Sequence, residues 1–73
     1  MKRTILRKNS TLAYFTQGMV NGRKARYITY IKLTNDGFEV IKERKVSMVN
    51  GNNAFRKLLE NGYKVVERKV VEA

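Results

Sequence analysis

The chain has 73 residues, of which 16 are Lys or Arg and six are Asp or Glu, so its formal net charge at pH 7 is +10. Its length predicts a single domain over residues 1–73, and the spread of charged residues along the chain does not indicate disorder. It contains no Cys and no His, which excludes disulfides, the usual zinc and iron ligands, and the Cys–His and Ser–His pairs of nucleophilic enzymes.

Turn signals divide the chain into strand-sized segments. Asn, Asp and Gly tolerate the positive φ angles of tight turns, and Asn-Gly between apolar-rich runs is typical of a β-hairpin. The opening segment 2–7 is a candidate for a further strand, with residues 7–10 as the turn that leads from it. The predicted turns are Asn9-Ser10, Asn21-Gly22, Asn35-Asp36-Gly37, Asn50-Gly51 and Asn61-Gly62.

Segments 11–20 and 24–34 flank the first Asn-Gly and are rich in β-branched and aromatic residues, which predicts an antiparallel hairpin. Gly18, inside the first of them, predicts a bulge or a close backbone approach. In the second, alternate residues point to opposite faces of the sheet. The face expected to form the core carries Tyr27, Thr29, Ile31 and Leu33, and the other carries Arg26, Ile28, Tyr30 and Lys32.

Segment 38–48 is predicted as the next strand of a β-meander. Its apolar residues do not keep one parity, which indicates a bulge or bend within residues 41–44. Segment 54–61 is the helix candidate, with Asn52 or Asn53 as N-cap and with Phe55, Leu58 and Leu59 on one face.

A final strand is predicted over residues 63–71. The predicted fold class is therefore α+β. A small curved antiparallel β-sheet, made of a meander of three or four strands and the final strand, packs on one short helix.

The strand-rich start, followed by Phe55, Leu58, Leu59 and Gly62-Tyr63, is similar in outline to the WGR domains, which bind nucleic acid. The chain has no Trp and so lacks the motif that defines those domains, and no residue role is transferred from them.

No residue set forms a catalytic or metal-binding signature. Glu39 and Glu43 have the same parity but lie too far apart along a regular strand to act as a pair, and the glycines follow turn residues without the spacing of a phosphate-binding loop. We therefore expect no catalytic residue, no metal and no cofactor, and predict that the protein is not an enzyme.

Basic residues cluster at and beside the first two hairpins, where we expect them to form one surface. Cations neutralise phosphates, and an exposed ring of Tyr14 or Tyr30 can stack on a base. Alternatively, the tyrosines pack within the sheet and the cations keep the protein soluble. The predicted nucleic-acid-binding residues are Arg23, Lys24, Arg26, Tyr30, Lys32, Lys42 and Arg44.

The charge surplus favours an accessory or regulatory module that binds DNA or RNA, with no feature that chooses between them or between single and double strands. The alternative is an adaptor or inhibitor that recognises an acidic protein, and pairing of strand edges could add a homodimer to either function. No apolar run reaches the length needed to cross a bilayer, so we expect no membrane partner and a cytoplasmic location.

Overall fold

The computed structural model describes the backbone of residues 2–70 and the side chains of residues 3–68. This range has the predicted α+β class, and the opening segment is a strand. Val71, at the end of the predicted final strand, lies outside the described residues. The elements are β1 (Lys2–Lys8), β2 (Thr11–Val20), β3 (Arg23–Thr34), β4 (Gly37–Ser47), α1 (Met48–Glu60) and β5 (Lys64–Val70).

The five strands form one antiparallel sheet in the order β4-β3-β2-β1-β5. Strands β4 and β5 are the two edges, and α1 joins them by crossing one face, which we call the helix face. Cross-strand partners share a face. Phe15 and its partner Ile28 lie on the helix face, whereas Ile5 and Tyr14, which pair with each other, lie on the opposite, open face.

The main core lies between α1 and the helix face. The ring of Phe55 meets that of Phe15 edge-on, with centroids 5.4 Å apart and planes at 82°, a favourable arrangement for two aromatic rings. The buried cluster is Leu6, Ala13, Phe15 and Ile28, against which Tyr30, Val46, Ala54, Phe55, Leu58 and Tyr63 pack.

The core face predicted for β3 was wrong. Ile28 is fully buried under the helix, whereas Tyr27 and Ile31 lie on the open face. Ile31 is also buried, but it does not contribute to the core under the helix. Both faces of β3 carry apolar residues, so alternation along the strand does not choose between them. The choice is made by the docking of α1, which places Phe55 on Phe15 and so covers the partner Ile28.

Most of the turn predictions agree with the backbone angles. Asn21 and Gly22 both have positive φ, 51° and 76°, as the primed turns of two-residue hairpins require. Asn9, Gly37 and Gly62 also have positive φ. The turn predicted at Asn50-Gly51 was wrong, since both residues lie in α1.

The helix begins at Met48, not at Ala54 as predicted. Its N-cap is Ser47, whose hydroxyl accepts a hydrogen bond from the backbone N–H of Asn50 at 3.2 Å. The predicted caps Asn52 and Asn53 are inside the helix. Apart from the Ser47 cap, the start of the helix lacks the usual sequence signals, since its first turn contains Gly51 and no acidic residue.

The bulge predicted in the third long strand is confirmed. Tyr30 pairs with Lys42 and Ile31 with Val40, which leaves Ile41 as the extra residue of β4. No helix in the described part of the chain is long and apolar enough to cross a membrane.

Candidate nucleic-acid interface

Most of the cations lie on the outer strand pairs of the sheet, on either side of the middle strand β2. Seven of the 16 lie on β3 and β4, seven on β1 and β5, two on α1, and none on the middle strand β2. The two sets are therefore separated by an uncharged strip. We call them the β3–β4 group (Arg23, Lys24, Arg26, Lys32, Lys42, Arg44, Lys45) and the β1–β5 group (Lys2, Arg3, Arg7, Lys8, Lys64, Arg68, Lys69).

The β1–β5 group is largely used by the fold itself. Arg3 pairs with Glu67 at 3.1 Å, the single ion pair within residues 3–68. Arg7 Nε donates to the Asn9 carbonyl at 2.8 Å, and Lys8 Nζ donates to the Asn61 carbonyl at 2.6 Å. The Arg68 guanidinium lies 6.0 Å from the centroid of the Phe55 ring, within the range of a cation–π contact.

The β3–β4 group makes few such contacts. Within residues 3–68, one member, Arg26, donates a side-chain hydrogen bond, to Asn52 Oδ1 at 3.4 Å, and no member forms an ion pair. All the others are exposed. The positive charge on this side of the sheet is therefore available to a ligand, whereas much of that on the other side already has an internal partner.

Within the β3–β4 group, the predicted site residues Lys32, Lys42 and Arg44 come together. On the helix face Lys42 pairs with Tyr30 and Arg44 with Ile28, and Lys32 is the next residue of that face along β3. Lys24 shares the face by register but lies at the other end of β3, and Arg23 has the opposite parity. These five side chains are all exposed.

Two predicted site residues are partly covered by other parts of the chain. Arg26 lies against α1 at Gly51, and its Nε is buried without a hydrogen-bond partner among the described residues. Tyr30 is half-buried and packs against the core cluster. Tyr30 is therefore positioned as a packing residue, with less of its ring exposed for stacking than a surface tyrosine would offer.

A different tyrosine has the more open position. Tyr27 lies on the open face, 36% exposed, between its partners Thr16 on β2 and Lys45 on β4. Its ring leans towards β2, because a Cβ atom added at Gly18 would stand only 2.7 Å from the Tyr27 Cε2 atom. Strand β2 keeps its register at Gly18, so the glycine marks this close approach and not a bulge.

An open pocket of about 310 Å³ lies beside this ring, over β3 and β4. Tyr27 pairs with Lys45, and Thr29 pairs with Glu43, so two adjacent cross-strand pairs form its floor. The lining brings together on one face an aromatic ring, a hydroxyl, a carboxylate and one cation, Lys45, whereas the register of Arg44 directs its side chain to the helix face. The lining consists of Tyr27, Thr29, Glu43, Arg44 and Lys45.

Sequence reasoning identified Arg44 but missed the other four lining residues. The sequence pattern predicts Tyr27 and Thr29 on the core face, and it gives Glu43 no role because Glu43 lies too far from Glu39 along a regular strand to act with it as a pair. Gly18 was the available signal, since a glycine within a strand marks a place where another group comes close.

Within the described residues, no three His, Cys, Asp or Glu side chains lie close enough together to hold a metal ion. Comparison of the chain with models of protein families, with curated proteins and with solved structures finds no match.

Proposed function

We propose that the protein is a non-enzymatic nucleic-acid-binding module, of an accessory or regulatory kind, that contacts backbone phosphates through the β3–β4 group. The observation that supports this most is the difference between the two basic groups. The cations of β1 and β5 largely have partners within the chain, whereas six of the seven on β3 and β4 are exposed and have none among the described residues.

Exposed cations that lack internal partners bind phosphates by releasing counterions, and this contribution does not depend on base sequence. Lys32, Lys42 and Arg44 are the centre of the proposed surface because they lie together on β3 and β4. Lys24 and Arg23 form a separate basic patch at the β2–β3 turn, because α1 covers Arg26 between Lys24 and this centre and Arg23 has the opposite parity. The half-buried Arg26 adds to the positive field at this surface and is held in place by α1.

A fluorescence anisotropy titration tests the proposal, with labelled single- and double-stranded DNA and RNA at a low and a high salt concentration. We expect binding at low salt that weakens steeply as salt rises. The double variant Lys42→Ala/Arg44→Ala should weaken binding to every sequence to a similar degree.

The matched control is Arg56→Ala/Lys57→Ala, which removes the same charge from exposed positions on α1. It should weaken binding clearly less. If the wild-type protein ignores DNA and RNA at low salt, the proposed function is wrong. Equal losses in the two double variants would show that net charge, and not the β3–β4 group, controls binding.

A second candidate function is recognition of an acidic protein, for which the edge strand β4 gives a specific reason. Phe38, Val40 and Ile41 are exposed on this unpaired edge, and exposed strand edges accept a strand from a partner. The other edge, β5, exposes Val65 and Val66 and offers a similar route to a homodimer. Failure to bind any oligonucleotide, together with co-purification of one acidic protein, would favour this candidate.

A further inference from the structure

The pocket on the open face contains an aromatic ring and a carboxylate, which binding to backbone phosphates does not require. We infer that it receives one unpaired base of a single-stranded nucleic acid, stacked on Tyr27. This inference rests on the proposed function and adds to it the form of nucleic acid that is preferred.

The lining residues match a nucleotide group by group. The exposed ring of Tyr27 can stack on any base, since every base has an aromatic face. The carboxylate of Glu43 can accept hydrogen bonds from the exocyclic amino groups of cytosine, adenine and guanine, which are donors. Lys45, which pairs with Tyr27 on the same face, is positioned for the phosphate attached to that nucleotide.

The carboxylate also argues against a phosphate as the group inside the pocket. Glu43 forms no ion pair within residues 3–68, so its negative charge is not neutralised by an internal partner and would repel a phosphate. A base carries no such charge. The volume of about 310 Å³ is at the small end of ligand pockets, which suits one flat heterocycle.

Gly18 keeps this pocket open. The Tyr27 ring leans towards β2, away from Glu43 and Lys45 on β4, because position 18 has no side chain. A glycine inside a strand costs stability relative to residues with a side chain. In this strand it creates the space into which the ring leans. A methyl group at position 18 would push the ring towards β4 and narrow the pocket.

The inference requires single-stranded nucleic acid because bases in a duplex are stacked and paired, and cannot enter a side pocket without being extruded. The β3–β4 group can still attract a duplex through its phosphates. The higher affinity for single strands than for duplexes is therefore expected to come from Tyr27. The salt dependence of binding is expected to come from the cations.

The test compares labelled 12-nucleotide single strands of DNA and RNA with duplexes of the same length. Tyr27→Ala should weaken single-strand binding by about 5- to 150-fold, the range expected for losing one base–aromatic stack. It should leave duplex binding nearly unchanged. Tyr27→Phe should retain most of the affinity, and Gly18→Ala should lower it although Tyr27 is still present.

Phe38→Ala is the matched control, because Phe38 is an exposed aromatic residue of β4 that does not line the pocket. It should bind single strands as the wild type does. Urea unfolding of each variant shows that it is folded under the conditions of the titration.

The outcomes separate this inference from the proposed function. Suppose that the wild-type protein binds nucleic acid and that Tyr27→Ala and Gly18→Ala bind single strands equally well. The inference of a base-binding pocket is then wrong, whereas the proposed phosphate-binding surface is not contradicted. If the wild-type protein binds neither single strands nor duplexes, both fail. A selective loss of single-strand binding in these two variants, and not in Phe38→Ala, supports the inference.

Discussion

Arg26 passes beneath α1 at Gly51, where the absence of a side chain lets the helix rest directly on the arginine. A Cβ atom added at Gly51 would lie 2.7 Å from the Cβ of Arg26 and nearer still to its Cγ. Gly51 is the buried residue of α1. The first turn of the helix and the beginning of β3 are therefore fixed against each other at this contact.

Gly51→Ala should destabilise the protein although alanine is the better helix former. The alanine gains about 1 kcal/mol of helix propensity. The added methyl group, however, meets the Cβ of Arg26, which is attached to the backbone of the sheet and cannot swing away. Such overpacking costs about 1–3 kcal/mol, so we expect a net loss of up to about 2 kcal/mol in the free energy of unfolding, measured by urea denaturation.

Asn53→Ala is the control for this substitution, since Asn53 is an exposed residue of the same helix. It should be neutral or slightly stabilising, by a few tenths of a kcal/mol, because asparagine is a weaker helix former than alanine. A Gly51→Ala variant as stable as Asn53→Ala would contradict the close contact with Arg26.

Strands and turns were predictable where local chemistry decides the structure. Asn21 and Gly22 take the positive φ angles that these two residue types tolerate, and the broken parity of β4 placed a bulge or bend within residues 41–44, where Ile41 is the extra residue. The start of α1 was not predictable in this way. Val49, Asn50 and Gly51 are weak helix formers. They are helical because Ser47 caps the first turn and Gly51 fits against Arg26, a contact between distant parts of the chain.

The candidate site shows the same limit. The sequence shows a cluster of cations beside the first two predicted hairpins, but it shows neither that an equal number lie together on β1 and β5 nor which cations the fold uses. Lys8 is bound to the carbonyl of Asn61, 53 residues away, whereas Lys42 has no such contact among the described residues. Alternation along β3 also gives no basis for choosing between Tyr27 and Tyr30 as the exposed ring, because that choice depends on where the helix docks.

Ser47→Ala should cost about 1 kcal/mol of stability. The Ser47 hydroxyl accepts the hydrogen bond of the Asn50 N–H at the first turn of α1, and removing such a cap leaves that donor to water. Urea denaturation gives the change in the free energy of unfolding. Ser10→Ala is a suitable control, since Ser10 is an exposed turn residue whose backbone carbonyl, not its hydroxyl, accepts from Leu33 N–H. Equal effects at the two serines would argue against Ser47 as the N-cap.

Phe15→Ala should be the most destabilising of the aromatic truncations at the sheet. Phe15 is 1% exposed and contacts Phe55, and removing a buried phenylalanine ring costs about 3–5 kcal/mol. Thermal unfolding monitored by circular dichroism measures the effect. If Phe15→Ala does not fold, the smaller truncation Phe15→Leu is measured in its place.

Phe38→Ala provides the comparison, since its side chain is 66% exposed on β4. We expect a change within about 0.5 kcal/mol, as for most surface substitutions. A loss at Phe38 equal to that at Phe15 would mean that the open face is covered in solution, for example by a second copy of the chain.

The salt dependence of binding separates the roles of charge and stacking. For a single strand, the slope of log K against log salt concentration is about −0.7 for each phosphate neutralised. Lys42→Ala/Arg44→Ala removes two cations of the proposed phosphate surface, so its slope should be shallower by about 1.4. Tyr27→Ala removes no charge, so its line should lie below that of the wild type and run parallel to it. Anisotropy titrations at four or five salt concentrations measure these slopes.

A shallower slope for Tyr27→Ala would mean that loss of the ring disrupts the cation surface. An unchanged slope for the double variant would mean that Lys42 and Arg44 do not contact phosphates.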